Sequence, residues 1–275
     1  MAPMSTTSLA APAAPPPTQA RRRRTTPSRL SFLRRWVSPI AIVAVWQVLS
    51  SSGLLTEDTI ASPAQIGAAA ADLIADGTLP SAILASLQRV GAGFLIGASI
   101  GLVVAVAAGL SRLGEDALDP PMQMLRTLPH FGLIPLFITW FGIGESPKLA
   151  LIAMGVAFPL YLNTFGGIRN IDQKTTEAAT AMGLTWSQRI RHVVIPGALP
   201  QTLIGLRQSL GIAWLSLIVA ETISAHSGLG YMINLAKEFQ QTDVIVVGLA
   251  VYSLLGLATD SLVRIAERRA LSWRS

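Results

Sequence analysis

Six stretches of this chain carry no formal charge: residues 36–56, 90–110, 127–144, 149–168, 208–220 and 244–259. A helix needs about 20 mostly apolar residues to cross the hydrocarbon core of a bilayer. The first four stretches meet that length alone or nearly so, and the last two meet it with a flanking charge at a membrane face or inside the bundle. The pattern predicts an all-α membrane protein with six transmembrane helices at about 36–54, 88–110, 122–143, 148–168, 201–223 and 244–264. A polar, helix-prone loop, 169–200, separates the fourth from the fifth. Ala61 to Leu79 is Ala-rich, with Pro63 placed for a helix start and Gly77 for a stop. A short helix along the outer face is expected there.

Within the spans, Gly93, Gly97, Gly101, Ala105 and Gly109 put a small residue at every fourth position. On a helix these form one stripe that lets another backbone approach closely. Pro129 and Pro135 in the third span and Pro159 in the fourth each remove a backbone hydrogen bond and invite kinks. In the 169–200 loop, Asp172 to Met182 predicts one helix, with its acidic residues Asp172 and Glu177 in the half that the helix dipole favours. Gly183 suits the left-handed residue that ends a helix. Thr185 is placed to cap a second helix through Val194, which Pro196 and Pro200 are expected to end before the fifth span. The loop is therefore read as two short helices joined by a sharp turn, with Glu177 and the Gly183 corner facing solvent.

Charge adds orientation. Lys and Arg accumulate on the cytosolic side of membrane proteins. Arg21 to Arg24, Arg29, Arg34 and Arg35 precede the first span. Placing that end in the cytosol also places Arg112, the 169–200 loop and the Arg-rich C-terminus inside. Only Lys148 and Lys237 then fall outside, and the first outer loop holds Glu57, Asp58, Asp72 and Asp76 without a Lys or Arg. Both termini are predicted to be cytosolic. The net charge of +6 follows from this asymmetry, so no nucleic-acid partner is needed to explain it. Residues 1–30, rich in Ala, Pro, Ser, Thr and Arg, read as a disordered basic cytosolic tail ahead of a transmembrane domain at 31–275. The four consecutive arginines could suggest a twin-arginine export signal, but the apolar run after Arg35 has the length of a span and no small-residue cleavage site follows.

Candidate catalytic chemistry is sparse. The chain has no Cys, and His130, His192 and His226 lack metal-ligand spacing, so no metal or cofactor is expected. There is no G-x-x-x-x-G-K-[ST] phosphate loop. Neither a nucleophile elbow nor paired carboxylates mark a membrane enzyme. Glu221 and Asp260 are the intramembrane acids that an ion-coupled secondary transporter would draw on.

Glu177-Ala178-Ala179, Gly183 and the run Val193 to Pro196 stand at the spacing Glu-Ala-Ala, three residues, Gly, nine residues, Ile-x-Leu-Pro, with Val193 and Ile195 replacing the Ile and Leu. This resembles the signature of permease subunits of ATP-binding-cassette (ABC) importers. Leu125 to Pro129, Trp140 to Glu145 and Phe158 to Asn163 are similar to the nitrate/sulfonate/taurine permease group. Ala220 to Ala225, Ser227 to Tyr231 and Glu238 to Val244 look most like its aliphatic-sulfonate branch. The resemblance runs from about residue 36 to 273.

It implies a MetI-like, type I importer permease, multi-pass in the bacterial inner membrane and non-catalytic. The implied partners are a cytosolic ATPase dimer, an external solute-binding protein and a second permease copy, with the loop as the ATPase-coupling element. Glu177 would pair with a basic ATPase residue, Ala178 and Ala179 would allow close approach, Gly183 would permit the corner, and Pro196 closes the motif. Aliphatic sulfonates are the expected freight, with taurine, nitrate or another small solute as alternatives. For an anion, the possible pathway residues are Arg89, which needs a partner such as Glu221, with Asn163, Ser216 and Thr222 as further donors. Arg126 and Arg207 sit near cytosolic span ends, where reaching the headgroups is the cheaper expectation.

Overall fold

The computed structural model describes residues 29–52 and 60–272. It divides into two units, Met1–Val45 and Trp46–Ser275. In the first unit the described residues belong to helix α1 (Arg29–Ser51), where Val37, Ile40, Ile42 and Val43 are all exposed. The expected tail at 1–28 and the acidic residues Glu57 and Asp58 lie outside the described residues.

The second unit is helical throughout its described residues. Helix α2 (Pro63–Ala75) starts where predicted: Ser62 and Gln65 exchange side-chain and backbone hydrogen bonds as a capping box, with Pro63 in the first turn. It ends at Gly77, whose φ of 80° is left-handed. Helix α3 (Thr78–Leu110) begins at once and runs 33 residues. At 1.5 Å per residue that is about 50 Å, more than the roughly 30 Å hydrocarbon core. The helix therefore projects past the predicted span on the α2 side. Helix α6 (Glu145–Arg169) is the most buried of the long helices and packs against both α3 and α9 (Ile195–Ser224). Leu79, Val90, Ile152, Val156, Leu160, Ala213, Trp214 and Leu217 form the core among them. Helix α10 (Leu229–Glu238) packs on α11 (Thr242–Ala270) and α9, and α2 packs on α11.

The small-residue stripe is what brings α3 and α6 together. A Cβ at Gly97 would stand 2.2 Å from the Ala153 carbonyl oxygen, and one at Gly101 would stand 2.6 Å from that of Ala157. Larger residues would force the two backbones apart, with loss of the dispersion contacts that hold membrane helices together.

Two expectations are corrected. The segment 122–143 is not one helix. Helix α4 (Arg112–Thr127) ends, Leu128 and Pro129 are extended, a 3-10 turn follows at His130–Leu133, and α5 (Ile134–Phe141) resumes. The cause is local: Pro129 pushes Leu128 out of the helical region, to ψ 136°. Nor does the second loop helix stop at Val194. Helix α8 (Trp186–Arg189) passes through a π turn at Ile190–Val194 into α9, so Trp186–Ile223 is continuous. The Ile195 N–H bonds Ile190 O, one residue further back than in an α-helix. Pro196 follows at once and has no N–H to give, so the continuous helix passes it through the wider turn with one backbone hydrogen bond fewer.

Among the described residues, four helices are long and apolar enough to cross a membrane: Thr78–Leu110, Glu145–Arg169, Trp186–Ile223 and Thr242–Ala270. The apolar helices Ile40–Ser51 and His130–Phe141 are shorter.

Candidate functional site

The 169–200 loop folds by short-range rules. The Asp172 side chain accepts from Lys174 N–H at 2.9 Å and caps α7 (Gln173–Ala181). At the other end Gly183, at φ 78°, donates to Thr180 O at 3.0 Å and Leu184 N–H reaches Ala179 O at 3.1 Å. This pair of bonds is a Schellman termination. A Cβ at Gly183 would meet nothing within 4 Å, so the backbone angle, not space, demands glycine here. Two residues on, Thr185 and Gln188 form a capping box for α8. Arg189 Nη1 then donates to Thr180 Oγ1 at 3.0 Å, tying α8 back onto α7 across the corner.

Glu177 and Ala178 are exposed, and Gln173 Nε2 holds Glu177 Oε1 at 2.8 Å. Ala179 points the other way and is buried inside the corner. Met182 and Trp186 flank Gly183 with 72% and 63% of their surfaces exposed, an apolar pair on an otherwise polar loop. Their signal in the sequence is two large apolar residues bracketing a helix break. Pro196 lies at the base of α9, away from the corner tip.

Arg89 and Glu221 are together, in a buried cluster joining α3, α6, α9, α10 and α11. Arg89 directs all five N–H groups inward. Nε and Nη2 reach the two Glu145 oxygens at 2.6 and 2.9 Å, Nη1 reaches Glu221 Oε1 at 2.7 Å and Ser227 O at 2.6 Å, and Nη2 also reaches Ser227 Oγ at 2.7 Å. Glu221 further accepts from Ser86 Oγ at 2.9 Å, from Gly230 N–H at 2.8 Å and from Tyr252 OH at 2.8 Å. Lys148, buried, donates to Glu145 Oε1 at 2.8 Å. Two cations face two carboxylates, so the cluster is internally neutral. Gly228 is required beside it: at φ 104°, a Cβ there would stand 2.3 Å from Glu221 Oε1. The cluster thus consumes the donors of Arg89 in holding five elements together. Glu145, Lys148, Ser86 and Ser227 were not foreseen.

Asp260 is likewise committed, to Arg207 at 2.7 Å and to Arg264. Neither intramembrane acid is left without a cationic partner to bind a coupling ion. Asn163 lies elsewhere, along a cavity of about 350 Å³ lined by α6, α9 and the end of α4, where it accepts from Gln201 Nε2 and donates to Gln208 Oε1. Ser216 is fully buried beside Gly155 at the same region. Thr222 is exposed, and its hydroxyl bonds carbonyls of its own helix. The five pathway candidates therefore fall into separate places: Arg89 with Glu221, Asn163 near Ser216, and Thr222 apart.

Residues 97–272 match the family described as the binding-protein-dependent transport system inner membrane component. The chain belongs to that family. This permease is 48% identical over 250 residues to the putative aliphatic sulfonates transport permease protein SsuC of Escherichia coli (strain K12), covering 90% of this chain and 95% of the relative. It is 32% identical over 237 residues to the taurine transport system permease protein TauC of the same strain, covering 84% and 86%. Its fold superimposes on a chain of an amino acid ABC transporter crystallised with histidines, at TM-score 0.61 and 19% identity, over 72% of this permease and 97% of that chain. The permease is thus an inner-membrane component, helical in its described residues, with the fold of that ABC transporter chain.

Proposed function

We propose that this permease carries aliphatic sulfonates inward as the membrane subunit of an ATP-driven importer, and that the Gly183 corner is its contact with the ATPase. The observation that supports the coupling role is a hydrogen-bonded, exposed corner whose Glu177, Ala178, Met182 and Trp186 are left uncovered by the described residues. Ala179 and Gly183 shape that corner from within, and the continuous Trp186–Ile223 helix links it to the fifth span. A push on the corner would therefore tilt a membrane-crossing rod directly, without loss through a flexible hinge. Such rigid-body motion suits alternating access.

In this reading two copies of the permease enclose the pathway, an ATPase dimer binds the two corners, and an external binding protein delivers the solute. Six crossings are made by α1, α3, the broken α4–α5 pair, α6, the Trp186–Ile223 helix and α11, with both termini in the cytosol. The subunit itself supplies no nucleotide chemistry. The 16-point difference in identity between the sulfonate and taurine relatives, 48% against 32%, supports sulfonate as the freight.

Deleting the gene should abolish growth on ethanesulfonate as sole sulfur source and leave growth on sulfate intact. Loss of growth on taurine, or of nitrate as nitrogen source, with ethanesulfonate use preserved would overturn the sulfonate assignment.

A further inference from the structure

The cavity of about 350 Å³ beside Asn163 has a one-sided chemistry. Its polar lining is Arg126, His130, Asn163 and Gln208, with no carboxylate, and its apolar wall includes Phe158 and Leu162. The volume falls in the range of about 300–1,000 Å³ typical of small-ligand sites.

Three features point to a missing anion. Arg126 has no ion-pair or hydrogen-bond partner among the described residues, whereas Arg89 and Arg207, the other arginines placed at span edges, are both neutralised within the chain. His130 Nε2 is sealed from solvent and unpartnered, and so is Ser216 Oγ on a fully buried residue. Both lie against Gly155 of the cavity wall: a Cβ there would stand 2.8 Å from Ser216 Oγ and 3.5 Å from His130 Nε2. Gln208 gives its oxygen to Asn163, which leaves its amide N–H groups as donors. A cationic donor and a free amide on a wall without a carboxylate call for an acceptor-rich ligand.

We infer that this cavity is an anion-holding subsite within the permease itself. Arg126 and the Gln208 amide receive an oxyanion head of sulfonate type, and Phe158 and Leu162 accommodate a short alkyl tail. The inference rests on the importer reading for its transport role, but the electrostatic character of the cavity can be tested without it.

The chain has no cysteine, so Leu162→Cys creates a single reporter on the cavity wall. In the assembled importer, its modification by the anionic sulfonatoethyl methanethiosulfonate is compared with that by the cationic trimethylammonioethyl analogue. The anionic reagent should be favoured. Arg126→Gln should lower the anion-to-cation rate ratio by about tenfold, the scale of one charge acting at close range; Arg126→Lys should preserve the ratio, and ethanesulfonate should slow the reaction. In the cysteine-free chain, Arg126→Gln and Gln208→Leu should each reduce ethanesulfonate uptake by about tenfold with ATPase recruitment unchanged. A ratio indifferent to Arg126→Gln, or full uptake by both variants, overturns the subsite. A ratio that responds in an importer that moves no sulfonate upholds the anion cavity and overturns the freight assignment instead.

Discussion

Gly183→Pro should abolish ATP-driven uptake while leaving the permease in the membrane at its normal level. Gly183 sits at φ 78° and donates to Thr180 O. Proline fixes φ near −65° and has no N–H, so it removes both the left-handed turn and one of the two bonds that end α7. The loss is on the order of 3 kcal/mol, concentrated in a corner held by a few local hydrogen bonds. The core between α3, α6 and α9 contains no residue of this corner, so insertion and packing should be unaffected. Transport-stimulated ATP hydrolysis should fall more than tenfold. Gly183→Ala should be milder, about 1–2 kcal/mol, because its Cβ meets open space and only the left-handed strain remains. The check is ATPase activity in reconstituted membranes, alongside the amount of permease recovered in the membrane fraction. Stimulation at the wild-type level in Gly183→Pro would remove the corner from the coupling path.

The second large effect is expected at the other end of the molecule. Arg89→Met strands the Glu221 carboxylate, which is 1% exposed, without its cation. Removing one member of a buried ion pair costs about 3–5 kcal/mol, because the remaining charge stays desolvated. Thermal denaturation of the purified permease should show a clear loss of stability. The double variant Arg89→Met/Glu221→Gln should recover part of it, since the uncompensated charge is then gone. Equal stability of Arg89→Met and the parent would mean that the cluster does not hold α3, α6, α9, α10 and α11 together. A double variant no better than the single one would place the cost in packing, not in charge.

These two regions also mark what a reader of the sequence could and could not see. The Gly183 corner was legible because every force that shapes it acts within a few residues: the Asp172 cap, the left-handed glycine and the Thr185–Gln188 box. The Arg89–Glu221 pairing was legible in outline, since a charge placed in a membrane span must find an opposite one. Glu145, Ser86 and Ser227 were not, because only the packing of α3 against α6 and α9 brings them to the same guanidinium.

Reading span length from charge-free windows treats Pro129 as a kink inside one helix, not as its end. It merged α4 and α5 across Pro129. The opposite error occurred at Pro196, where proline suggested a stop and a π turn let the helix continue. Arg126, His130, Asn163 and Gln208 come from the α4–α5 junction, α6 and α9, so their cavity exists only once those segments meet. Its arginine resembled, in sequence alone, an ordinary residue reaching for headgroups.

We expect this chain to move sulfonate only as part of an ATP-driven, binding-protein-dependent machine, a dependence that can be measured. Its most direct test is uptake of labelled ethanesulfonate into proteoliposomes holding the permease with its ATPase, with the binding protein added outside. Accumulation should require enclosed ATP and external binding protein together, and should disappear with Gly183→Pro. Accumulation by the permease alone, driven by a proton gradient without ATPase or binding protein, would contradict the account.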